Sequence, residues 1–215
     1  MANVLIESQT MTDIANAIRE KSGTVEKMKP AEMPKTIREM EVVDTGVGSR
    51  QWWLDVFSQK KNFANMFEGC SMTTIPQLDT SNGTNFISMF AYCGNLTTIP
   101  QLDTSNGTNF VSMFYLCGNL TTIPQLDTSN GTNFYNMFYH CYALKNISFV
   151  AGCIKKSISF AQSDKLTDES IQSIIDGLAD LTGQTAQTIT FHPDVKNKLT
   201  EEQIASVTSK NWNIA

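Results

Sequence analysis

The sequence predicts an α/β protein built as a solenoid, and three observations predict it. The 14-residue string TTIPQLDTSNGTNF occurs three times, over Thr73 to Phe86, Thr97 to Phe110 and Thr121 to Phe134, a period of 24 residues. Partial copies flank it: Asn62-Phe63-Ala64-Asn65-Met66-Phe67 matches Asn85-Phe86-Ile87-Ser88-Met89-Phe90, and Ala143-Leu144-Lys145-Asn146-Ile147 falls where Asn95-Leu96-Thr97-Thr98-Ile99 fell. Each unit also holds one apolar run of strand character and one of helical spacing. A fixed period of this size marks stacked units that each bury an apolar face against their neighbours. The expected organisation is a helical module over 1–43, a linker over 44–50, and a capped solenoid over 51–215, with repeats at about 62–147 and a cap at about 148–215.

Within one unit, Leu96, Ile99 and Leu102 have the spacing of a leucine-rich-repeat strand, and the Thr and Ile between 97 and 99 favour extended backbone. Pro100 cannot donate to a ladder and belongs at an edge, bulge or strand end. Asp103-Thr104-Ser105-Asn106-Gly107 is turn chemistry, in which Asn-Gly tolerates positive φ and the Asp and Ser side chains bond local N–H groups. Thr108 or Asn109 then caps a short helix from Phe110 to Cys117, because Phe110, Met113, Phe114 and Cys117 lie at i, i+3, i+4 and i+7. Gly118 ends it. The coil is therefore expected to be strand, turn, helix, turn, a leucine-rich-repeat-like solenoid. Even the polar positions agree among copies, as Gln77, Gln101 and Gln125 do; recent duplication or hydrogen bonds between stacked turns would account for this.

The copies differ at Ile87/Val111/Tyr135, Ala91/Tyr115/Tyr139, Tyr92/Leu116/His140 and Gly94/Gly118/Tyr142. If exposed, these positions make an aromatic-rich surface, so Tyr92, Tyr115, Leu116, Tyr135, Tyr139, His140 and Tyr142 are the candidate partner-binding residues.

Before the repeats, Thr12 or Asp13 can cap a helix carrying Ile14, Ala17 and Ile18 on one face, and Pro30 to Pro34 opens a second with Ile37 and Met40 inward. Two short helices bury little, so Ile14, Ile18, Ile37 and Met40 are candidates for attachment to a partner or to further copies of the chain. Gln51 to Phe57, with Trp52, Trp53, Leu54, Val56 and Phe57, reads as a lid on the first coil, its rival being an exposed aromatic patch. After the repeats, Asn146 to Phe149, Ser157 to Phe160 and Thr188 to Phe191 read as strands. Thr167 caps a helix whose inner face is Ile171, Ile174, Ile175 and Leu178. Thr200-Glu201-Glu202-Gln203 has the form of a capping box, opening a helix through Ile204 and Val207, and Trp212 and Ile214 close the end.

Composition narrows function. Of 215 residues, 41% are hydrophobic and 17% charged, which argues for a folded chain, and the net charge of −5 with no basic cluster argues against nucleic acid. No run of about 18 apolar residues exists for a membrane span, and Met1 to Glu20 lacks the apolar run of a secretory signal. Of the five cysteines, Cys70, Cys93, Cys117 and Cys141 recur at spacings of 23, 24 and 24, as a buried column of small apolar groups would, with disulfide pairing as the alternative. No metal site is expected: there is no CxxC or HxxxH, and one Asp per coil suits a turn better than Ca²⁺. No cofactor motif is present, and no nucleophile–base or paired-carboxylate pattern stands out, so an enzyme is not expected. His192 reads as a satisfied surface residue.

The repeat LTTIPQLDTSNGTNFVSMFYLCGN resembles a bacterial surface-protein repeat that runs Leu-Thr-x-Leu, Asp-Thr-Ser-Asn-x-Thr-Asn, Met-Phe, Cys, and is related to the BspA-like leucine-rich repeats. The resemblance covers about Asn62 to Ile147 and implies a right-handed solenoid with an adhesive role on bacterial or viral surfaces. Thr12 to Gly23 followed by Met28 to Met33 is similar to the N-terminal module of structural and tail-associated proteins from phages of Gram-positive bacteria. Ser170 to Leu178, Thr188 to His192 and Lys210-Asn211-Trp212 are similar to the closing segment of repeat proteins from the same phages. Together these imply a phage virion protein of a tail, baseplate or head fibre. Its partners would be other virion proteins through the N-terminal module, a host-surface glycan or protein, and further copies of itself, as a trimer for instance. The alternatives are a BspA-like cell-surface adhesin and, third, a carbohydrate-active enzyme.

Overall fold

The computed structural model describes residues 60–215 apart from residue 76. The expected helical module over 1–43, with Ile14, Ile18, Ile37 and Met40, the linker over 44–50 and the aromatic segment Gln51 to Phe57 lie outside the described residues. The described chain is mixed α/β with two small parallel sheets and no closed barrel: β1 (Thr122–Leu126) pairs with β2 (Asn146–Phe149), and β3 (Ile158–Phe160), β4 (Gln187–Phe191) and β5 (Trp212–Ile214) form the second sheet in that order. Helices α1 (Asp168–Gly177), α2 (Pro193–Lys196) and α3 (Glu201–Ser209) all follow the repeats.

In the repeats, each coil lies in parallel on the next. Asn62, Asn85, Asn109 and Asn133 bridge in series, and Thr98 bridges to Thr122. Leu96, Ile99, Leu102, Phe110, Met113, Phe114 and Cys117 are all buried, as their spacing predicts. The helix expected over Phe110 to Cys117 is not there. A run of tight turns takes its place, and alternate N–H groups go to different partners. Met113, Tyr115 and Cys117 donate to Phe110, Ser112 and Phe114 three residues back, while Phe110, Ser112, Phe114 and Leu116 donate to Asn133, Tyr135, Met137 and Tyr139 of the following coil. An α-helix would direct every N–H to the carbonyl four residues back and leave none for a neighbour. Left-handed φ recurs every four residues, at Ser112 (55°) and Leu116 (60°), and likewise at Asn65, Gly69, Ser88, Tyr92, Asn136 and His140. A four-residue period presents positions i, i+3, i+4 and i+7 to one side much as a helix does, which is why the apolar spacing mimicked one.

The other wall is also less regular than expected: among the described residues of the repeats, named strands pair only where β1 meets β2, and there the register shifts between Ile123 and Leu126. Side chains supply what the backbone lacks. The Gln77 amide donates to the Gln101 carbonyl at 2.8 Å and Gln101 to Gln125 at 2.7 Å. Asn106 and Asn130 donate to Ser81 and Ser105 of the preceding coil at 2.8 and 2.7 Å, and Thr108 and Thr132 do the same to Thr84 and Thr108. The repeated Gln, Asn and Thr thus have a structural reason to be repeated. Asp79, Asp103 and Asp127 each accept from the Ser two residues on, N–H and hydroxyl both, inside their own coil. Asn-Gly has a different basis from the one expected. Gly107 is not left-handed; a Cβ there would fall onto the Phe110 ring and 2.9 Å from the Thr104 carbonyl, and Gly83 and Gly131 repeat this close approach.

Two phenylalanine columns fill the stack. Phe63, Phe86, Phe110 and Phe134 follow one another at 5.5, 5.5 and 5.6 Å between ring centroids. Phe67, Phe90, Phe114, Phe138 and Phe160 form the second, which reaches Phe191 at 6.4 Å and so carries the core into the C-terminal region. There the elements are conventional. Thr167 caps α1 through a bond from the Ser170 N–H, and Ile171, Ile174, Ile175 and Leu178 are buried behind it. The capping box of Thr200 and Gln203 opens α3, where Val207 is buried and Ile204 is exposed. Trp212 is buried in β5 and its indole N–H bonds the Ala179 carbonyl at 2.9 Å. Among the described residues no helix is long and apolar enough to cross a membrane.

Candidate functional site

The turn wall places most of the candidate partner-binding residues in one strip. Tyr92, Leu116 and His140 occupy the second left-handed position of successive coils, and Tyr115 and Tyr139 stand one residue before it. Because coils stack in register, their rings meet along the stack axis. Tyr92 contacts Tyr115 edge-on at 5.3 Å between centroids, Tyr115 stacks on Tyr139 at 5.2 Å with 9° between planes, and Tyr139 meets His140 at 4.2 Å. His140 in turn meets the Tyr142 ring at 4.9 Å, and the Tyr142 hydroxyl bonds His140 Nδ1. The His140 backbone N–H is held by Gln162 Oε1 at 2.7 Å, which ties the strip to the C-terminal region.

Exposure, which the sequence left open, is found at Tyr92, Tyr135, Tyr139 and Tyr142, at 53, 69, 39 and 46% respectively. Tyr115, Leu116 and His140 are half-buried. Such large exposed rings are otherwise absent from the described surface, where Ile204 is the remaining large exposed hydrophobic group. The phenols sense one another: partial desolvation, then the neighbouring hydroxyls of Tyr92, Tyr139 and Tyr135, push the Tyr115 hydroxyl above the ordinary phenol range. Chemically the strip offers ring edges and a row of hydroxyls, a combination that buries area at low conformational cost and hydrogen-bonds at its tip. These residues stand out in the sequence, but their mutual stacking does not. The signal was the 24-residue separation of Tyr115 and Tyr139, which fixes them one above the other.

Other sequence candidates resolve as structural. His192 Nδ1 accepts from the Asp194 N–H at 3.2 Å and caps α2. All five cysteines are buried free thiols. Those at 93, 117 and 141 donate to the Phe67, Phe90 and Phe114 carbonyls at 2.8, 3.0 and 3.2 Å. Burial pushes the Cys117 thiol up to about 12 and raises Cys141 and Cys153 as well, so these thiols stay protonated. Two open clefts flank the cap. One of about 390 Å³ runs from Ser129 and Asn130 to Lys155, Lys156 and Asp180. The other, about 750 Å³, holds Asp168, Glu169 and Asp176 beside Gln125, Gln172 and Gln203, where Gln172 donates to Asp176 at 2.9 Å.

No curated protein and no solved structure matches the chain. Residues 56–165, just over half of the chain and spanning the whole stack, match a family described as "Mycoplasma protein of unknown function, DUF285". The chain, with its register-stacked 24-residue coils, belongs to that family.

Proposed function

We propose that the chain is a structural and recognition component of a phage particle, in a tail, baseplate or head fibre. The stack acts as a leucine-rich-repeat-like solenoid that holds the tyrosine strip toward a host-surface glycan or protein. In this reading residues 1–43 attach the chain to other virion proteins, with Ile14, Ile18, Ile37 and Met40 as contacts, and the chain has no enzymatic activity. The observation that carries the recognition role is the aromatic strip in which exposed Tyr92, Tyr139 and Tyr142 meet half-buried Tyr115 and His140, placed where the otherwise uniform copies differ. A surface selected for contact varies while its scaffold stays constant, and aromatic residues are the favoured anchors of such contacts. The resemblance of both chain ends to phage structural proteins supports the particle. Several copies in one particle would turn weak individual contacts into strong attachment.

Cryo-electron microscopy of purified particles, with the isolated chain applied to host cells, tests this. Density for the stack at the particle surface and cell binding lost in a Tyr92→Ser, Tyr139→Ser, Tyr142→Ser variant are expected. Absence from particles, or unchanged cell binding by the triple variant, overturns the reading. The second reading is a bacterial cell-surface adhesin of the BspA-like type, drawn from the resemblance of the repeat; it requires the chain on the surface of uninfected cells.

A further inference from the structure

The thiol column is not uniform along its length. Cys93, Cys117 and Cys141 each direct a thiol to a backbone carbonyl of the preceding coil, but Cys93 alone of the three also meets a second sulfur, that of Cys70, at 2.8 Å. The sequence departs from its period at the same place. Two residues, Ser71 and Met72, separate Cys70 from Thr73, where three residues, Gly94, Asn95 and Leu96, separate Cys93 from Thr97, and Gly118, Asn119 and Leu120 separate Cys117 from Thr121. The connection after Cys70 is one residue shorter, so the Cys70–Cys93 spacing of 23 residues departs from the 24 that follow.

We infer that Cys70 and Cys93 are a disulfide-forming pair that closes when the chain meets a small-molecule disulfide such as oxidised glutathione. The geometry admits the bond. The two coils are spaced here by about the 5.5 Å that separates the ring centroids of Phe67 and Phe90, three residues before each cysteine, a spacing of the order that a disulfide bridges. The sulfurs need move less than 1 Å closer to reach a bond of about 2.0 Å. Cys70 is the nucleophile of the pair. It is 5% exposed where Cys93 is fully buried, and the single Cys93 hydrogen, shared between the Cys70 sulfur and the Phe67 carbonyl, together with the Met72 N–H favours the Cys70 thiolate, while the same contact and burial hold Cys93 protonated. The Cys70 thiolate attacks one sulfur of oxidised glutathione, forming a mixed disulfide and expelling one glutathione thiolate. Cys93 then gives up its proton and attacks the Cys70 sulfur, expelling the second glutathione. Two protein thiols are oxidised, one glutathione disulfide is reduced to two thiols, and the two protein protons are taken up by them.

The test is thiol counting and peptide mapping on the full chain after exposure to oxidised glutathione. The five free thiols are expected to fall to three, with a single intrachain linkage between the peptides holding Cys70 and Cys93 and none holding Cys117 or Cys141. Closing a loop of this length should raise the thermal midpoint by about 10 °C, reversed by dithiothreitol. Cys70→Ala and Cys93→Ala should each abolish the linkage, and Cys117→Ala should leave it intact. Mapping of the unsubstituted chain decides the matter even where a variant folds poorly. Five thiols persisting, linkage through Cys117, or glutathione attached without the intrachain bond would each overturn the inference.

Discussion

The repeat stack and the C-terminal cap bury the same kinds of side chain but direct their backbone hydrogen bonds differently. In α1 and α3 the donors stay within the element, and its ends are closed by its own residues, Thr167 and the Thr200–Gln203 pair. In the turn wall every second N–H crosses to the next coil. A cap helix is therefore specified by a few adjacent residues, while a turn run depends on an identical neighbour to receive its donors. Nearest-neighbour coupling of this kind makes the stability of the stack a property of interfaces more than of single units.

The largest expected effect tests that coupling. Phe110→Ala removes a ring held between Phe86 and Phe134 and should cost about 4 kcal/mol in chemical denaturation, more than the about 3 kcal/mol expected for Ile174→Ala at the equally buried face of α1. A cost no larger than that of Ile174→Ala would mean that the neighbouring coils close over the space left by the ring. Gly107→Ala should cost about 2–3 kcal/mol because its Cβ meets the Phe110 ring and the Thr104 carbonyl. Next come two changes of similar size and different reach. Gln101→Ala and Thr200→Ala should each cost about 1 kcal/mol. Hydrogen exchange should separate them, rising in both coils joined by the Gln101 side-chain bond to the Gln125 carbonyl, while Gln77 keeps its bond to the residue-101 carbonyl, but only in α3 for Thr200. The smallest effect has the opposite sign. Ser112→Gly relieves a left-handed φ of 55° and should stabilise by about 0.5 kcal/mol; a destabilised variant would show that the Ser side chain matters more than the backbone.

The same difference decided what could be read from sequence. Helix caps are local, so Thr167 and Thr200 could be identified from residues within four positions of each. The inward set of the repeat was legible too, since Leu96, Ile99, Leu102, Phe110 and Met113 are buried whatever the backbone between them does. The backbone itself was not legible, because a four-residue turn period and a 3.6-residue helix give the same apolar spacing over two turns. Only the destination of the Ser112 and Leu116 N–H groups separates them, and that destination is 23 residues away. The aromatic candidates were identifiable as positions of difference, but the stacking of Tyr115 on Tyr139 requires the register of neighbouring coils.

The ladder from Gln77 through Gln101 to Gln125 has a consequence for how such a chain can change over generations. Each coil presents to its successor the same donors and acceptors that it received, so a coil inserted or deleted by unequal crossing-over between the near-identical repeats leaves every remaining contact with a partner. Reach then becomes a heritable quantity that changes in whole steps, with each coil moving the far end by about 5.5 Å, the spacing of the phenylalanine column. A lineage could lengthen or shorten its aromatic face without designing a new fold.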